Sequence, residues 1–510
     1  MWSGLRQHVM SFTRSNRSVE MLTCNSHSMN SQTFSGYWWC SDDRDNRQPG
    51  TLTIASDGTV ALQLIEGFDL QQYTSLPDGS IGIGEGRTRI DVIHGATTAG
   101  KEITLLDCLI RRYNMGLGTP TEQRLSARYA LVGLHLEDAD AEVFDSCRLR
   151  LENLRTWMAI GEYKTTHEED GRELSATVTT PEPVTVKWED FTIKADMSAT
   201  PFNYAATRDE ATFSSRGAVT LTITADTPRS YRGFHEVTMA IVDLLTLASD
   251  RACGVINQRL VGQPQPVSYP DVNEDGTIGT QIVEESPEAA VYARRTVTAI
   301  PDEKELHHHD FLFTCQDMPF EELVVRWLDL RKRIVRATNM LFSLKYSKPG
   351  FLQTQVLTAA VSAETLSRCL TDPKAVPMAT PDFEYMVREL RIAIDRMPED
   401  DRKRFEGFLR NECKYRDRLN DVASMPPQAV VAKIIPDVEA WAQELTNVRN
   451  GLAHGLDQSY SEPENLFLLL QRTQYLICLV LMTELGLPEP VLDRAVDANQ
   501  YLTHLYKGQG

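Results

Sequence analysis

The spacing of apolar residues changes near residue 315, and this change constrains the fold more than any other feature. Before it, short β-prone runs alternate with turn signals; Gly50–Ile54 and Val60–Ile65, for example, are separated by Asp57-Gly58. After it, apolar residues recur at three- and four-residue spacing, as in Phe320–Leu344. Alternation with period two predicts antiparallel strands, whereas the longer spacing predicts amphipathic helices. We therefore expect a multidomain α+β protein, with a large, mainly antiparallel β domain followed by an all-α helical bundle.

The polar N-terminus and the two patterns of apolar spacing divide the chain into three predicted segments. Residues 1–32 are polar and lack an apolar stretch, which is typical of a disordered lead-in. Residues 33–315 are expected to form the β domain and residues 316–510 the helical domain. The β domain is expected to contain strands over 184–188, 218–225 and 291–300, and one inserted helix over 234–249. Bundle helices are expected over 320–344, 352–370, 382–396, 401–423, 437–454, 463–486 and 489–506.

The charge balance excludes one class of function. The 510 residues carry 52 Lys and Arg against 71 Asp and Glu, a formal net charge of −19. Because phosphate binding needs a surplus of cations, such a chain is not expected to coat nucleic acid non-specifically. A small basic site on an acidic body is still compatible with this balance.

Two further patterns indicate a cytoplasmic protein. The nine cysteines are scattered singly, which is typical of reduced thiols and not of a disulfide framework or a zinc finger. The longest apolar run, 466–487, is interrupted by the polar residues Gln471 to Gln474, which a membrane-spanning helix would have to bury at high cost. We therefore predict a bundle helix there and no membrane partner. We also expect no metal site and no other cofactor.

A cationic cluster occurs in the helical half. Residues 401–418 contain seven basic and four acidic residues. On one continuous helix, four of the basic side chains would lie near one face and could follow a phosphate backbone of RNA. These four are Lys403, Arg410, Lys414 and Arg418. A solvated helix face with internal ion pairs explains the same cluster equally well.

The sharpest chemical pattern is the R-x4-H arrangement from Arg449 to His454. It lies on a predicted helix, and Arg449, Asn450 and His454 are off the apolar stripe of that helix. The stripe consists of Val438, Trp441, Leu445, Val448 and Leu452. Asn450 and His454 are four apart and therefore neighbours, whereas Arg449 and His454 are about 140° apart around the axis. These two converge only through the reach of arginine, a distortion at Gly451 or pairing across a dimer.

The same spacing also has simpler explanations. A second R-x4-H arrangement, Arg89 to His94, lies on a predicted strand, so the spacing alone is not specific. For Arg449 and His454 the alternative is a surface arginine and a helix-capping histidine.

Arg449-Asn450 followed by Ala453-His454, near the end of a bundle helix, resembles the active-site motif of the HEPN ribonuclease superfamily. Four N-terminal segments are similar to the β-rich domain of the ApeA-like family of bacterial phage-defence proteins. That family joins such a domain to a C-terminal HEPN domain. The four segments are Phe34–Trp39, Pro49–Ile54, Ile93–Gly95 and Ile103–Cys108.

The resemblance implies metal-independent endoribonuclease activity. In that chemistry the 2′-hydroxyl of RNA attacks the adjacent phosphate and leaves a 2′,3′-cyclic phosphate and a 5′-hydroxyl. His454 would exchange protons near neutral pH, and Arg449 would stabilise the charge that develops on phosphorus. Asn450 would orient His454 or the phosphate. Glu364, with Arg368 as its alternative, is a weaker candidate for a polar partner on an upstream helix.

The resemblance also implies partners and regulation. HEPN sites are commonly composite, so a homodimer or a higher homo-oligomer is expected. The substrate would be RNA, with tRNA as a candidate, and the enzyme would act in abortive infection. A phage-encoded trigger would activate it through the β domain.

A non-enzymatic hypothesis stays open beside this one. The helical domain would then be a degenerate HEPN module for dimerisation or nucleotide binding, and the β domain would bind a protein or a glycan. This hypothesis predicts that substitutions of Arg449 and His454 leave the phenotype intact.

Overall fold

The computed structural model describes residues 31–68, 73–75, 81–83, 87–116, 119–167, 174–272, 278–294, 306–371, 376–406, 409–454 and 463–498. The strands are β1 (Gln32–Cys40), β2 (Gln48–Ile54), β3 (Val60–Leu64), β4 (Tyr73–Ser75), β5 (Ile81–Ile83), β6 (Arg89–Thr97), β7 (Glu102–Gly116), β8 (Thr119–Ala127), β9 (Tyr129–Val132), β10 (Phe144–Leu151), β11 (Glu162–His167), β12 (Leu174–Thr179), β13 (Val184–Trp188), β14 (Phe191–Ala199), β15 (Asn203–Ala206), β16 (Ala211–Ser214), β17 (Gly217–Arg229), β18 (Val255–Gly262), β19 (Gln265–Val272), β20 (Ile278–Glu285) and β21 (Glu288–Ala293). The helices are α1 (Leu154–Met158), α2 (Tyr231–Ser249), α3 (Phe320–Tyr346), α4 (Leu352–Leu370), α5 (Thr380–Ile394), α6 (Glu399–Glu406), α7 (Tyr415–Ser424), α8 (Gln428–Ile434), α9 (Val438–His454), α10 (Pro463–Glu484) and α11 (Glu489–Ala498).

Six strands close into an antiparallel barrel. Around it β7 pairs with β6, β6 with β1, β1 with β2, β2 with β3, β3 with β8, and β8 with β7. Along β3 every second side chain is buried and those between are exposed, as the pleat of a strand requires. The interior is filled around Trp38, and a Cβ at Gly95 would lie 2.2 Å from that ring. Glycine at position 95 therefore lets the tryptophan fit.

Strand β7 joins the barrel to the rest of the sheet. Its residues Ile103–Leu106 pair with β9, whereas its later residues pair with β8. Between the two parts, Asp107 has a φ of 53°, and its carboxylate accepts a hydrogen bond from Arg89 Nη2 at 2.8 Å. From β9 the sheet continues through β21, β18, β10, β17, β14 and β13.

Helix α2 lies between this sheet and the helical bundle. Most of its residues are buried, which is typical of a helix covered on all sides. Trp327 of α3 donates from Nε1 to the carbonyl of Ala240 at 2.6 Å. The buried residues of the sheet, α2 and the bundle form one continuous hydrophobic core. The core therefore crosses residue 315, and the domain boundary proposed there stays a prediction.

Helix α10 is a core helix of the bundle. Among the described residues it alone is long and apolar enough to cross a membrane, but 72% of its most apolar window is buried inside the protein. Two of its polar residues, Thr473 and Gln474, also face inward. Thr473 is fully buried, and its Oγ1 accepts a hydrogen bond from Trp441 Nε1 at 3.2 Å. The apolar run is thus used in packing the bundle, as predicted.

The expected fold class is confirmed, with corrections to individual elements. The inserted helix begins at Tyr231, three residues earlier than predicted, and α4 has the predicted bounds. The strand predicted over 291–300 begins at Glu288 and ends at Ala293. Helices α1 and α8 were not predicted. Residues 1–30, 295–300 and 499–506, on which further predictions fall, lie outside the described residues.

Candidate functional site

Helix α9 presents the predicted motif. Trp441, Leu445 and Val448 are buried, as the apolar spacing predicts. Arg449 and Asn450 lie beside this stripe and are half-buried. The helix continues to His454, its last residue. The side chain of His454 lies outside the described residues, so its contacts stay a prediction.

The guanidinium of Arg449 is held from two sides. Its Nη1 donates to Asn450 Oδ1 at 3.0 Å, and its Cζ lies 5.3 Å from the centre of the Tyr415 ring. Because Asn450 precedes His454 by four residues on the same helix, the reach of Arg449 brings its charge toward the face on which His454 is placed. This contact is compatible with convergence through the reach of Arg449, and the convergence of Arg449 and His454 stays a prediction.

Tyr415 anchors this arrangement and was missed by the sequence analysis. It is the first residue of α7, and its hydroxyl donates to the carbonyl of Ala360 in α4 at 3.2 Å. Burial raises the pKa of Tyr415 far above its usual value, Glu364 raises it further, and Arg449 lowers it. The phenol therefore stays neutral and remains a hydrogen-bond donor. No spacing relation links Tyr415 to the R-x4-H motif, so the sequence carried no signal for it.

Glu364 reaches the same helix junction from α4. It lies one turn after Ala360, and its side chain is 18% exposed. Arg368 Nη2 donates to Glu364 Oε1 at 2.9 Å, so the two alternative candidates form one ion pair. The structure thus brings Glu364, Tyr415 and Arg449 together where α4, α7 and α9 meet. A role for Glu364 in catalysis stays a prediction.

A polar stripe extends this site along α9. Arg416 Nη1 donates to Gln443 Oε1 at 2.9 Å, and Gln443 Nε2 donates to Asn447 Oδ1 at 2.9 Å. Gln443, Asn447, Asn450 and position 454 follow one another at helical spacing and lie on one face. This face offers amide groups, which can bind phosphate and sugar oxygens, whereas the guanidinium of Arg416 also pairs with Glu439 at the start of the same face.

The helix predicted over 401–423 was wrong. Helix α6 ends at Glu406, and a new helix begins at Tyr415. Gly407 disfavours helix continuation, and the carboxylate of Asp417 caps the new start by accepting the N–H of Lys414 at 3.0 Å. These local interactions outweigh the charge spacing on which the prediction was based.

The four proposed RNA-binding cations therefore do not share one helix face. Lys403 lies on α6 and pairs with Glu399 at 3.0 Å. Arg410 and Lys414 are exposed in the non-helical connection, and Arg418 is half-buried on α7. Their contact with RNA stays a prediction.

The second R-x4-H arrangement is structural. Arg89 and His94 lie on β6, and His94 is buried with Nε2 donating to the carbonyl of Leu136 at 2.7 Å. Burial lowers the pKa of His94. Its context, and not its spacing, distinguishes it from the motif on α9.

Two clefts lie elsewhere, and both adjoin α1. One has a volume of 170 Å³ and includes Arg150; the other has a volume of 340 Å³ and includes His307 and His308. Neither is lined by residues of the α4–α7–α9 junction. Within the described part of the chain, no group of three or more His, Cys, Asp or Glu side chains could hold a metal ion.

Two family models match the chain. The model described as ApeA N-terminal domain 1 matches residues 33–327, and the model described as Apea-like HEPN matches residues 357–491. The second match includes Glu364, Tyr415 and the motif on α9. An antiparallel β domain followed by an HEPN bundle defines a class of defence-associated nucleases. The chain belongs to the ApeA-like family of this class. No curated protein and no solved structure was found to match it.

Proposed function

We propose that the protein is a metal-independent HEPN endoribonuclease that acts in abortive infection. The observation that carries this proposal is the restraint of Arg449 by Tyr415 and Asn450 on the helix that ends at His454. A fixed cation next to a histidine position is the minimum that RNA transesterification needs from a protein.

In the proposed reaction each residue has one role. His454 accepts the proton of the 2′-hydroxyl or donates a proton to the departing 5′-oxygen, and a histidine is suited to both near neutral pH. As the new bond between the 2′-oxygen and phosphorus forms, the bond to the 5′-oxygen breaks, which leaves a 2′,3′-cyclic phosphate and a 5′-hydroxyl. Arg449 offsets the charge on the phosphorane through its planar donor fork. Asn450, which already binds Arg449, orients the phosphate or His454.

Regulation and partners form the second part of the proposal. The substrate is RNA, with tRNA as the first target to test, and the site is composite in a homodimer or a higher homo-oligomer in the bacterial cytoplasm. A phage-encoded component activates the enzyme through the β domain. The continuous core from the sheet through α2 to the bundle gives such a signal a physical route.

Mapping of RNA ends tests the chemistry and the substrate together. Wild type and His454→Ala are induced in a bacterial host with the trigger present, and 2′,3′-cyclic phosphate ends are sequenced. We expect new cyclic-phosphate ends in the wild type only, with at least about a 100-fold loss in the variant, as for removal of a general acid or base. Equal cleavage by both proteins would refute the assignment of His454. An intact defence phenotype in His454→Ala and Arg449→Ala would favour the non-enzymatic hypothesis.

A further inference from the structure

A helical hairpin leaves the bundle beside the candidate site. This hairpin arm, residues 376–406, contains α5 and α6, and α5 packs chiefly against α6. Of its side chains that the structure describes, 25 are exposed, and Ile394 alone is buried. The arm therefore contributes little to the core of its own chain.

The arm exposes several large apolar side chains among its charged residues. Tyr385 and Ile392, which are 59% and 52% exposed, are seven residues apart and therefore share one face of α5. Leu390, 40% exposed, lies about 140° around the axis from Tyr385, and Phe405 of α6 is 48% exposed. Soluble proteins rarely leave several large apolar side chains in water on one element unless a partner covers them. The face of α5 that carries Tyr385 and Ile392 is therefore the part of the arm best suited to contact a partner.

The base of the arm adjoins the helix junction. The arm follows α4, whose last two turns contain Glu364 and Arg368, and it precedes α7, which begins at Tyr415. At the base, Asn411 Nδ2 donates to the carbonyl of Met378 at 2.7 Å, and the N–H of Met378 donates to Asn411 Oδ1 at 3.2 Å. A partner bound to the arm would therefore lie next to the candidate site.

The charges of the arm indicate which partner fits. The arm carries eight acidic and six basic residues. Arg391, Asp400 and Asp401 are exposed and have no ion-pair partner among the described residues. RNA would require a surplus of cations, whereas a surface that meets its own copy across a two-fold axis must supply both partners of every ion pair. The mixture of free charges favours a second copy of the chain.

The size of the arm agrees with this assignment. A stable protein interface involves about 20–30 residues on each side. The arm exposes 25 side chains over all its faces, so one face of it can form the centre of such an interface and flanking residues of the bundle complete it. We infer that the hairpin arm is the surface on which a second copy of this chain docks, which places two α4–α7–α9 junctions side by side. This inference extends the proposed function and rests on it, because the two paired junctions form a composite nuclease site only if the protein is the proposed nuclease.

The mass of the full-length protein in solution tests the inference. Ile392→Glu places a charge on the arm, and Ile282→Glu is the matched control because Ile282 is 67% exposed on the β domain. Sedimentation over a range of micromolar concentrations should give twice the chain mass of 57.5 kDa for the wild type and the control. Ile392→Glu should sediment as a monomer, with dimerisation weakened at least about tenfold. Tyr385→Glu should behave like Ile392→Glu, and unchanged melting temperatures would show that both variants are folded.

Several outcomes would overturn the inference. The inference is wrong if the wild type stays at 57.5 kDa. It is also wrong if the arm variants keep the wild-type mass. Weaker RNA binding by the arm variants without a change of mass would assign the surface to RNA instead. The proposed function is tested separately by His454→Ala. A dimer that cleaves no RNA would contradict the proposed nuclease activity and leave the docking surface in place. Cleavage by a permanent monomer would contradict the docking surface and the composite site, and leave the proposed chemistry in place.

Discussion

The position of Arg449 is fixed before any substrate binds. Tyr415 lies against its guanidinium, and Asn450 accepts one of its N–H groups. A free arginine side chain loses about 2 kcal/mol of rotamer entropy when it is fixed. Much of this loss is therefore incurred on folding and not in the transition state, which is the physical benefit of a preorganised site.

Replacement of Tyr415 by leucine should lower the cleavage rate, because the ring that restrains Arg449 is lost. Stacking of a cation on an aromatic ring contributes about 0.5–2 kcal/mol, which corresponds to about a 2- to 30-fold change in rate. Tyr415→Phe keeps the ring and should retain most of the rate. Single-turnover cleavage of a labelled RNA measures both variants. Equal loss in the two would contradict the positioning role of the ring.

Among the secondary-structure elements, α3 connects the two domains through a kink. The kink lies at Ile334, where φ is −115° and ψ is 20°, and Thr338 Oγ1 donates to the carbonyl of Ile334 at 3.2 Å. Asp243 of α2 binds both halves of the helix. It accepts hydrogen bonds from Arg331 Nε at 2.9 Å, before the kink, and from the Tyr346 hydroxyl at 2.7 Å, after it. The β domain thereby fixes the bend of a bundle helix.

Substitution of Asp243 by asparagine should destabilise the protein strongly. The side chains of Asp243 and Arg331 are only 5% and 13% exposed, and burial raises the pKa of Asp243 although Arg331 lowers it. Removal of one partner from a buried pair costs about 3–5 kcal/mol, because the other charge is left uncompensated. Urea unfolding measures this loss in free energy of unfolding.

The control for this substitution is Asp226→Asn, which breaks the exposed pair with Lys187. Exposed pairs contribute about 0–1 kcal/mol, so this variant should unfold close to the wild type. Similar losses in both variants would show that burial of Asp243 and Arg331 is not what makes their pair important.

The molecule as a whole should lose stability in mild acid. His94 donates to the Leu136 carbonyl in buried surroundings, and His235 lies beside Tyr231. Burial lowers the pKa of both histidines below 6.5, and Arg128 lowers that of His235 further. Below pH 6.5 the unfolded chain therefore binds protons before the folded protein does, and the free energy of unfolding decreases. Above pH 6.5 the two histidines are neutral in both states, and their burial no longer lowers the free energy of unfolding.

This pH dependence can be measured as the melting temperature between pH 7.5 and 5.5. His94→Gln keeps an N–H donor for Leu136 and cannot become charged, so the decrease on acidification should become smaller. His309→Gln, on an exposed side chain, is the control and should keep the wild-type decrease. An unchanged decrease in His94→Gln would contradict the argument.

Prediction from sequence succeeded where local periodicity is strong. The bounds of α4 and the buried stripe of α9 follow from apolar spacing alone, because one helix face must enter the core. It failed over 401–423, where charges supplied the pattern. Charge spacing shows which side chains would share a face if a helix formed, but it contributes little to forming the helix. The low helix propensity of glycine and the new capping carboxylate therefore decide where the helix ends and the next one begins.

The sequence by itself determined the β-then-α order, the helix that ends at His454, and the side of α9 on which Arg449 and Asn450 lie. These features depend on residues a few positions apart, whose geometry is set by the regular helix or strand. Only the tertiary structure decided that Tyr415 lies near both Glu364 and Arg449, that Asp243 spans the kink of α3, and that the rest of the chain leaves the hairpin arm exposed. These contacts join residues far apart in the chain, and the packing of whole helices brings them together.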